Sequence, residues 1–234
     1  YRPITRLTFA IEYQFTATSQ YNPAISHIIN TLLYALSILL LFSVLRRIFR
    51  NYNPWFIFLA LLLFTAHPLH TEVVASLKNR DILLNFIFSF LAIKMFLKWA
   101  DFKNNKYLIF GIISYFMALL SKETAIAQLA VFPLVLYYFT DMPLKKILYF
   151  AGGLVGLIVL TFGIPVLLLL PPVERSYRFF ENPLAFEDNF FNKLATGFYG
   201  LGFYIKMMAF PYPLRYYYGY DVIPVAVSYY YLML

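Results

Sequence analysis

The chain has 234 residues, of which 62% are hydrophobic, 21% aromatic and only 13% charged. A soluble domain carries nearer a quarter charged residues, so lipid rather than water must solvate most of this surface. The net charge of +8 is scattered between apolar runs with no basic face, which argues against a nucleic-acid surface; the absence of cysteine excludes disulfides, thiolate metal sites and cysteine nucleophiles.

A polar stretch, Tyr1–Ser26, comes first. Then follow the apolar segments Ile28–Leu45, Pro54–Ala66, Ile82–Trp99, Tyr107–Leu120, Ala125–Phe139 and Ile147–Leu170. Each is read as a crossing helix, which needs roughly 20 mostly apolar residues or fewer where it stops inside protein. The 13 residues of Pro54–Ala66 span only about 20 Å. Leu194–Phe210, rich in glycine and interrupted by Lys206, makes a seventh crossing, and Pro224–Leu234 opens an eighth. The expected fold is all-α, a polytopic transmembrane helix bundle of about seven crossings with interfacial helices on its outer face. Short connections favour antiparallel neighbours. Residues 1–234 read as a single membrane-embedded domain and as a piece of a larger protein.

With Tyr1–Ser26 outside, the inner flanks hold Arg46, Arg47, Arg50, Lys98, Lys103, Lys106, Lys145, Lys146 and Arg215, and are mainly basic, as cytoplasmic loops are. The outer flanks mix both signs: Arg2, Arg6, Lys78, Arg80, Lys122, Arg175, Arg178 and Lys193 beside Glu12, Glu72, Asp81, Glu123, Glu174, Glu181, Glu187 and Asp188. Mixed charge on one face is what a binding site needs.

Three outer elements could carry chemistry. The first is the turn His67-Pro-Leu-His70-Thr-Glu72, which starts below the headgroups because the preceding helix is short. Thr71–Arg80 reads as a helix capped by Thr71, with Glu72, Ser76, Asn79 and Arg80 on one polar side over a cavity. An interfacial helix whose charges simply reach water fits the spacing equally well. His67, His70 and Glu72 also suggest metal, but the spacing is not that of a zinc-protease helix, and histidines hydrogen-bonding at a cavity rim fit better. The second element is Ser121-Lys122-Glu123, an ion-bearing junction squeezed between apolar segments, where ionisable groups are costly unless partnered. The third is Tyr1-Arg2-Pro3 with Arg6 and Glu12; the planar fork of Arg2 suits a phosphate. The loop Pro171–Lys193 is expected to form an amphipathic lid, and Lys206 either snorkels or faces the bundle interior toward an anion.

Together these pieces resemble the membrane domain of the transmembrane and tetratricopeptide repeat-containing proteins, which belong to the GT-C class of glycosyltransferases alongside the protein O-mannosyltransferases. Tyr1-Arg-Pro-Ile-Thr5 resembles that family's Tyr-Arg-Pro-Leu-Thr element. Ser26-His-Ile-Ile-Asn30 resembles its His-x-x-Asn helix opening. His67-Pro-Leu-His-Thr-Glu-Val-Val74 with Arg80 resembles its His-Pro-x-His-x-Glu-x-Val…Arg element, and Ser121-Lys-Glu123 its Ser-Lys-Glu junction. Glu181-Asn-Pro183 and Pro211-Tyr-Pro-Leu214 are looser likenesses.

The resemblance implies transfer of a sugar from a polyprenyl- or dolichyl-phosphate carrier to an acceptor hydroxyl of a protein or glycan, on the periplasmic or luminal face of the bacterial inner membrane or the endoplasmic reticulum. It implies catalytic roles for Glu72, Arg80 and Asp81. Arg2, His67, His70, Lys122 and Lys206 would bind the donor phosphate, and Tyr1, His27, Asn30 and Glu123 would orient. The lipid-linked sugar phosphate is the donor, no metal site is assigned, and membrane lipid is a partner while nucleic acid is not. The family's expected base lies upstream of the Tyr-Arg-Pro element and its repeats follow the membrane domain. On that expectation the first transmembrane helix, part of the first outer loop, the catalytic acid and the repeats lie outside this chain. Two other classes remain: a transporter or flippase core, for which no internal repeat is visible, and a membrane anchor for an interaction domain, which needs no polar outer site.

Overall fold

The computed structural model describes residues 2–16, 23–163, 179 and 183–215, all of them in helices or their connections. The chain forms two compact units, Tyr1–Leu170 and Pro171–Leu234. In the first, α1 (Pro3–Thr16), α2 (Pro23–Ile48), α3 (Pro54–Thr65) and α4 (His70–Ala75) lead through a single 3-10 turn, Leu77–Asn79, into α5 (Arg80–Phe102). There follow α6 (Asn105–Ser121), the 3-10 segment Glu123–Ala127, α7 (Gln128–Phe139) and α8 (Leu144–Ile158), which continues as one π-helical stretch, Val159–Gly163. In the second unit the described residues form a 3-10 turn, Pro183–Phe186, and α9 (Phe190–Ala209). Glu174, Arg175, Arg178, Glu181 and the Pro224–Leu234 segment, like Tyr1, lie outside the described residues.

Local chemistry sets the helix starts. Asn53 accepts a hydrogen bond from the Trp55 amide at 3.0 Å, with Pro54 at the first helical position, where its missing N–H costs nothing. Asn104 caps α6 through the Lys106 amide at 3.0 Å, and Asn189 caps α9 through the Phe191 amide at 2.9 Å.

Among the described residues, three helices are long and apolar enough to cross a membrane: Pro23–Ile48, Leu77–Phe102 and Leu144–Gly163; α3, α6 and Glu123–Phe139 are shorter apolar helices. Half of the most apolar stretch of the middle one is buried in protein, against 22% and 17% for the other two, so α5 is the axis of the bundle and its neighbours turn apolar faces outward to lipid. Phe96 of α5 sits in a T-shaped contact with Phe132 of α7 at 5.2 Å and with Phe150 of α8 at 4.8 Å. Gly111 of α6 backs directly onto the same ring: a Cβ there would come within 2.3 Å of a Phe96 ring carbon. Alternating helix directions give the bundle two polar ends. Arg47, Asp101 and Lys146 gather at one, and α1, α4 and the α6–α7 junction at the other.

Two sequence expectations change here. Tyr1–Ser26 is not merely a polar stretch: it contains α1, with Leu7, Ile11 and Phe15 exposed and Thr5 and Glu12 buried. Nor is Thr71–Arg80 one helix capped by Thr71. Its helix starts at His70 without a side-chain cap and breaks at Ser76, which is extended (φ −83°, ψ 117°). The break turns the Val74 and Ser76 carbonyls to the Asn30 side-chain amide, at 3.5 and 3.4 Å. Consequently Glu72 is exposed while Arg80 is buried, and the two do not share a polar side.

Candidate active site

The first turn of α5 places two ionisable residues inside the protein: Arg80 is 0% exposed and Asp81 1%. An arginine cannot shed its charge, so burial at this depth demands partners. Arg80 Nη1 lies 2.7 Å from Glu12 Oε2 of α1, as an ion pair. Its Nε donates to Asn30 Oδ1 at 2.8 Å, its Nη2 donates to the Ser26 carbonyl at 3.3 Å, and the guanidinium carbon rests 3.9 Å from the centre of the Phe9 ring. The Ser26 hydroxyl donates to Glu12 Oε1. One guanidinium thus ties α1, α2 and α5 together. Asn30 passes the restraint on, since its own amide holds the α4 break.

Asp81 faces the other end of α1. Its Oδ2 accepts from Arg2 Nη1 and lies 3.4 Å from Lys122 Nζ, while its Oδ1 is buried with no hydrogen-bond partner among the described residues. Arg2 spans the α6–α7 junction as well, donating from Nε to Glu123 Oε2 at 3.0 Å and from Nη2 to Glu123 Oε1 at 2.5 Å. These two hydrogen bonds, more than any other influence, hold the Glu123 carboxyl down at about 2. Thr5 adds a pin by donating to the Ser121 carbonyl at 3.2 Å.

The histidines form a third cluster. All three in the chain, His27, His67 and His70, line a cavity of about 340 Å³ with Tyr34, Thr65 and Thr71. The Tyr34 hydroxyl lies between the Thr65 carbonyl, to which it donates at 3.0 Å, and His70 Nδ1 at 3.1 Å. His67 Nδ1 accepts from the Leu69 amide at 3.3 Å, which in the neutral ring puts the proton on Nε2. Burial lowers the pKa of His70, the nearby His67 lowers it further, and a hydrogen bond to the Phe64 backbone opposes both. Among the described residues, no group of three His, Asp or Glu side chains is arranged to hold a metal ion.

The structure therefore brings Arg2, Asn30, Asp81, Lys122 and Glu123 to the end that carries Arg80, and His27, His67 and His70 to one cavity bordering α4. Glu72 stands exposed in the first turn of α4, outside the cavity lining but beside Thr71, which is part of it. Lys206 is on α9 of the second unit. Sequence reasoning missed Thr5, Phe9, Tyr34 and Thr65. A signal for Tyr34 existed, because His27, Asn30 and Tyr34 recur at helical spacing along one side of α2.

Compared with known proteins, the chain is 32% identical over 134 residues to the Caenorhabditis elegans protein O-mannosyl-transferase F38B6.6, covering 56% of this chain and 18% of that protein. It is 26% identical to the Drosophila melanogaster protein O-mannosyl-transferase Tmtc2 over 240 aligned positions, 97% of this chain and 25% of the relative. To human protein O-mannosyl-transferase TMTC1 it is 33% identical over 142 residues, 56% of this chain and 16% of the relative. The chain is similar to TMTC proteins. It spans a quarter or less of the length of these relatives. No family profile matches it, and no solved structure matches it. The His67–Val74 and Ser121–Glu123 motifs sit at the same end of the bundle, the end that α1 covers.

Proposed function

We propose that the chain forms the membrane core of a glycosyltransferase that moves a sugar, mannose by analogy with the names of its relatives, from a polyprenyl- or dolichyl-phosphate carrier to a hydroxyl of a protein or glycan. In this reading the bundle crosses the bilayer about seven times, with the α1–α4 end on the periplasmic or luminal face. The observation that carries it is the gathering of Arg2, Asp81, Lys122, Glu123 and three histidines at one end of an apolar bundle. An anionic phosphate on a lipid tail needs polar donors and positive charge at headgroup depth, and lipid-facing helices beside them.

The reaction breaks the bond between the anomeric carbon and the phosphate oxygen, leaving the electron pair on the phosphate. The acceptor oxygen bonds the anomeric carbon, and its proton passes to a carboxylate. His27, His67 and His70 line the space that receives the sugar phosphate and offer ring N–H groups to its oxygens. Lys122 and Arg2, held side by side by Asp81, offer charged N–H donors to the oxygens of the leaving phosphate. Arg80 is a positioning residue, because its guanidinium is spent on Glu12, Asn30 and Ser26 and it reaches the histidine cavity only through Asn30 and α4. Among the described carboxylates at this end, Glu12, Asp81 and Glu123 are in ion pairs, so exposed Glu72 is the one placed to orient an acceptor.

The test is transfer of radiolabelled mannose from dolichyl phosphate to an acceptor protein in proteoliposomes. Removing one preorganised donor costs roughly a hundredfold or more in rate; His70→Ala and Lys122→Ala should each show a loss of that order while the protein stays folded. Absence of transfer from any polyprenyl-phosphate sugar, or undiminished rates in both variants, defeats the proposal. A reporter placed after Lys146 should read cytoplasmic; the reverse inverts the proposed topology.

A further inference from the structure

The end of the bundle opposite the histidines holds a larger cavity, of about 920 Å³, whose lining includes Arg47, Arg50, Lys103, Lys146, Asp101 and Asp141. Arg47 and Asp101 cancel one another: Arg47 Nε donates to Asp101 Oδ2 at 2.8 Å and Nη2 donates to Oδ1. Arg50, Lys103 and Lys146 form no ion pair among the described residues, and Asp141 is the one acid of the lining besides the paired Asp101. The cavity therefore carries an excess of positive charge. Lys103 takes its place there by ending α5 in the left-handed conformation (φ 51°).

A second, apolar groove of about 340 Å³ shares one of these cations. It runs between α6 and α8 along Leu108, Ile112, Gly153, Leu154 and Leu157, with Lys146 and Trp99 also in its lining. The Lys146 ammonium sits 4.7 Å from the centre of the Trp99 ring, so its stem lies along the apolar groove while its charge serves the polar cavity. Among the described residues, nothing lies within 4 Å of the position of a Cβ on Gly153, so they leave the groove open there. Space of this form, cationic at one end and greasy beside it, matches an amphiphile.

We propose that this end binds an anionic phospholipid, its phosphate among Arg50, Lys103 and Lys146 and an acyl chain in the α6–α8 groove. The site is distinct from the one proposed for sugar transfer and lies at the opposite polar end. A cluster of basic side chains at a headgroup surface attracts anionic lipid, each cation adding to the attraction, while the groove contributes burial of methylene groups. The carrier chemistry of the transfer reaction is not required here. Any glycerophospholipid with a net negative headgroup satisfies the geometry.

The experiment is native mass spectrometry of the delipidated full chain in a zwitterionic detergent, titrated with dioleoyl phosphatidylglycerol, dioleoyl phosphatidylcholine or inorganic phosphate. One phosphatidylglycerol should be retained in preference to phosphatidylcholine. Lys146→Glu should weaken that retention by about thirtyfold, the size expected for a change of two charge units beside an anionic headgroup. Gly153→Leu, which fills the groove and leaves every cation, should weaken phosphatidylglycerol without altering phosphate binding. Unchanged thermal unfolding of both variants in the same detergent establishes that they are folded. Equal retention of both lipids, or indifference to Lys146→Glu, overturns the proposal. Inorganic phosphate binding as tightly as phosphatidylglycerol, with Gly153→Leu silent, identifies a free-phosphate site and overturns the lipid.

Discussion

Arg80 and Asp81, adjacent in the first turn of α5, hold opposite ends of the same helix: Arg80 pairs with Glu12 near the end of α1, and Asp81 accepts from Arg2 just before its start. Two neighbouring side chains of opposite charge so fix both the position and the direction of α1 across the site end. Neither contact is a surface ion pair that salt would screen away, since Arg80 and Asp81 are both buried. The arrangement gives these charges a structural task alongside any catalytic one, and the first predictions separate the two.

Truncating one partner of a buried pair strands the other, at a cost of roughly 3–5 kcal/mol. Arg80→Ala should therefore lower stability by about that amount, and Glu12→Ala should do the same, because each leaves a charge in a dry site. Replacing both, as Arg80→Met with Glu12→Leu, should recover most of the loss. Chemical unfolding of the three variants in detergent measures this. If Arg80→Ala abolishes transfer with full stability, Arg80 touches the reacting groups and the positioning role is wrong.

Asn30 is the link between that pair and α4. Asn30→Ala removes the acceptor of Arg80 Nε and the donor that serves the Val74 and Ser76 carbonyls, at about 1–3 kcal/mol for a buried group left unsatisfied. Its distinguishing effect should be local. Amide hydrogen exchange should rise across His70–Asn79 while the middle of α5 keeps its protection. Uniform loss of protection along the chain contradicts this account.

The helices were legible in sequence because length and apolar content alone decide which segments lipid can solvate. Ile82–Trp99 became Arg80–Phe102, and Pro54–Ala66 became Pro54–Thr65. The charged motifs were legible as a set at one end, since alternating helix directions bring them there without knowledge of any contact. What sequence concealed was pairing. Glu12 is the sole acidic residue before Glu72, and its place on Arg80 depends on the entry angle of α1, which no local propensity fixes. The break at Ser76 was hidden for a similar reason: Thr71–Arg80 has acceptable helical residues throughout, and the interruption comes from Asn30, over 40 positions away. Tertiary hydrogen bonding overrode a local preference.

Acid should act on Glu123 in a defined direction. Its folded pKa is lowered from 4.5 to about 2, chiefly by the Arg2 hydrogen bonds, so the stability it contributes is complete above about 4.5 and is lost as pH falls toward about 2. The side chain is 52% exposed, so water weakens the effect and the contribution is small. Unfolding temperature followed across that interval should slope less in Glu123→Gln than in the parent. Parallel slopes show that the Arg2–Glu123 pair adds nothing to folding.

His70 should act in a higher window. Burial, foremost, lowers its pKa below 6.5, so the unfolded chain takes up the proton first and stability declines as pH drops below that value. His70→Gln keeps polar atoms in the cavity without a titrating ring, and it should flatten the profile as pH falls through 6.5 while leaving the Glu123 region alone. An unchanged slope as pH falls through 6.5 places the charge of His70 in water.

Gly111 offers a test of the core that is independent of charge. A methyl group at this position of α6 would meet the Phe96 ring at 2.3 and 2.5 Å, closer than any real carbon contact. Phe96 is 1% exposed and wedged against Phe132 and Phe150, so it has no empty space to rotate into. Gly111→Ala would stabilise an ordinary exposed helix by roughly 1 kcal/mol through propensity, but here overpacking at roughly 1–3 kcal/mol must dominate. The variant should therefore unfold more easily, and pairing it with Phe96→Leu, which shortens the opposing side chain, should restore part of the loss. A Gly111→Ala protein more stable than the parent indicates that α5 and α6 stand farther apart than this packing requires.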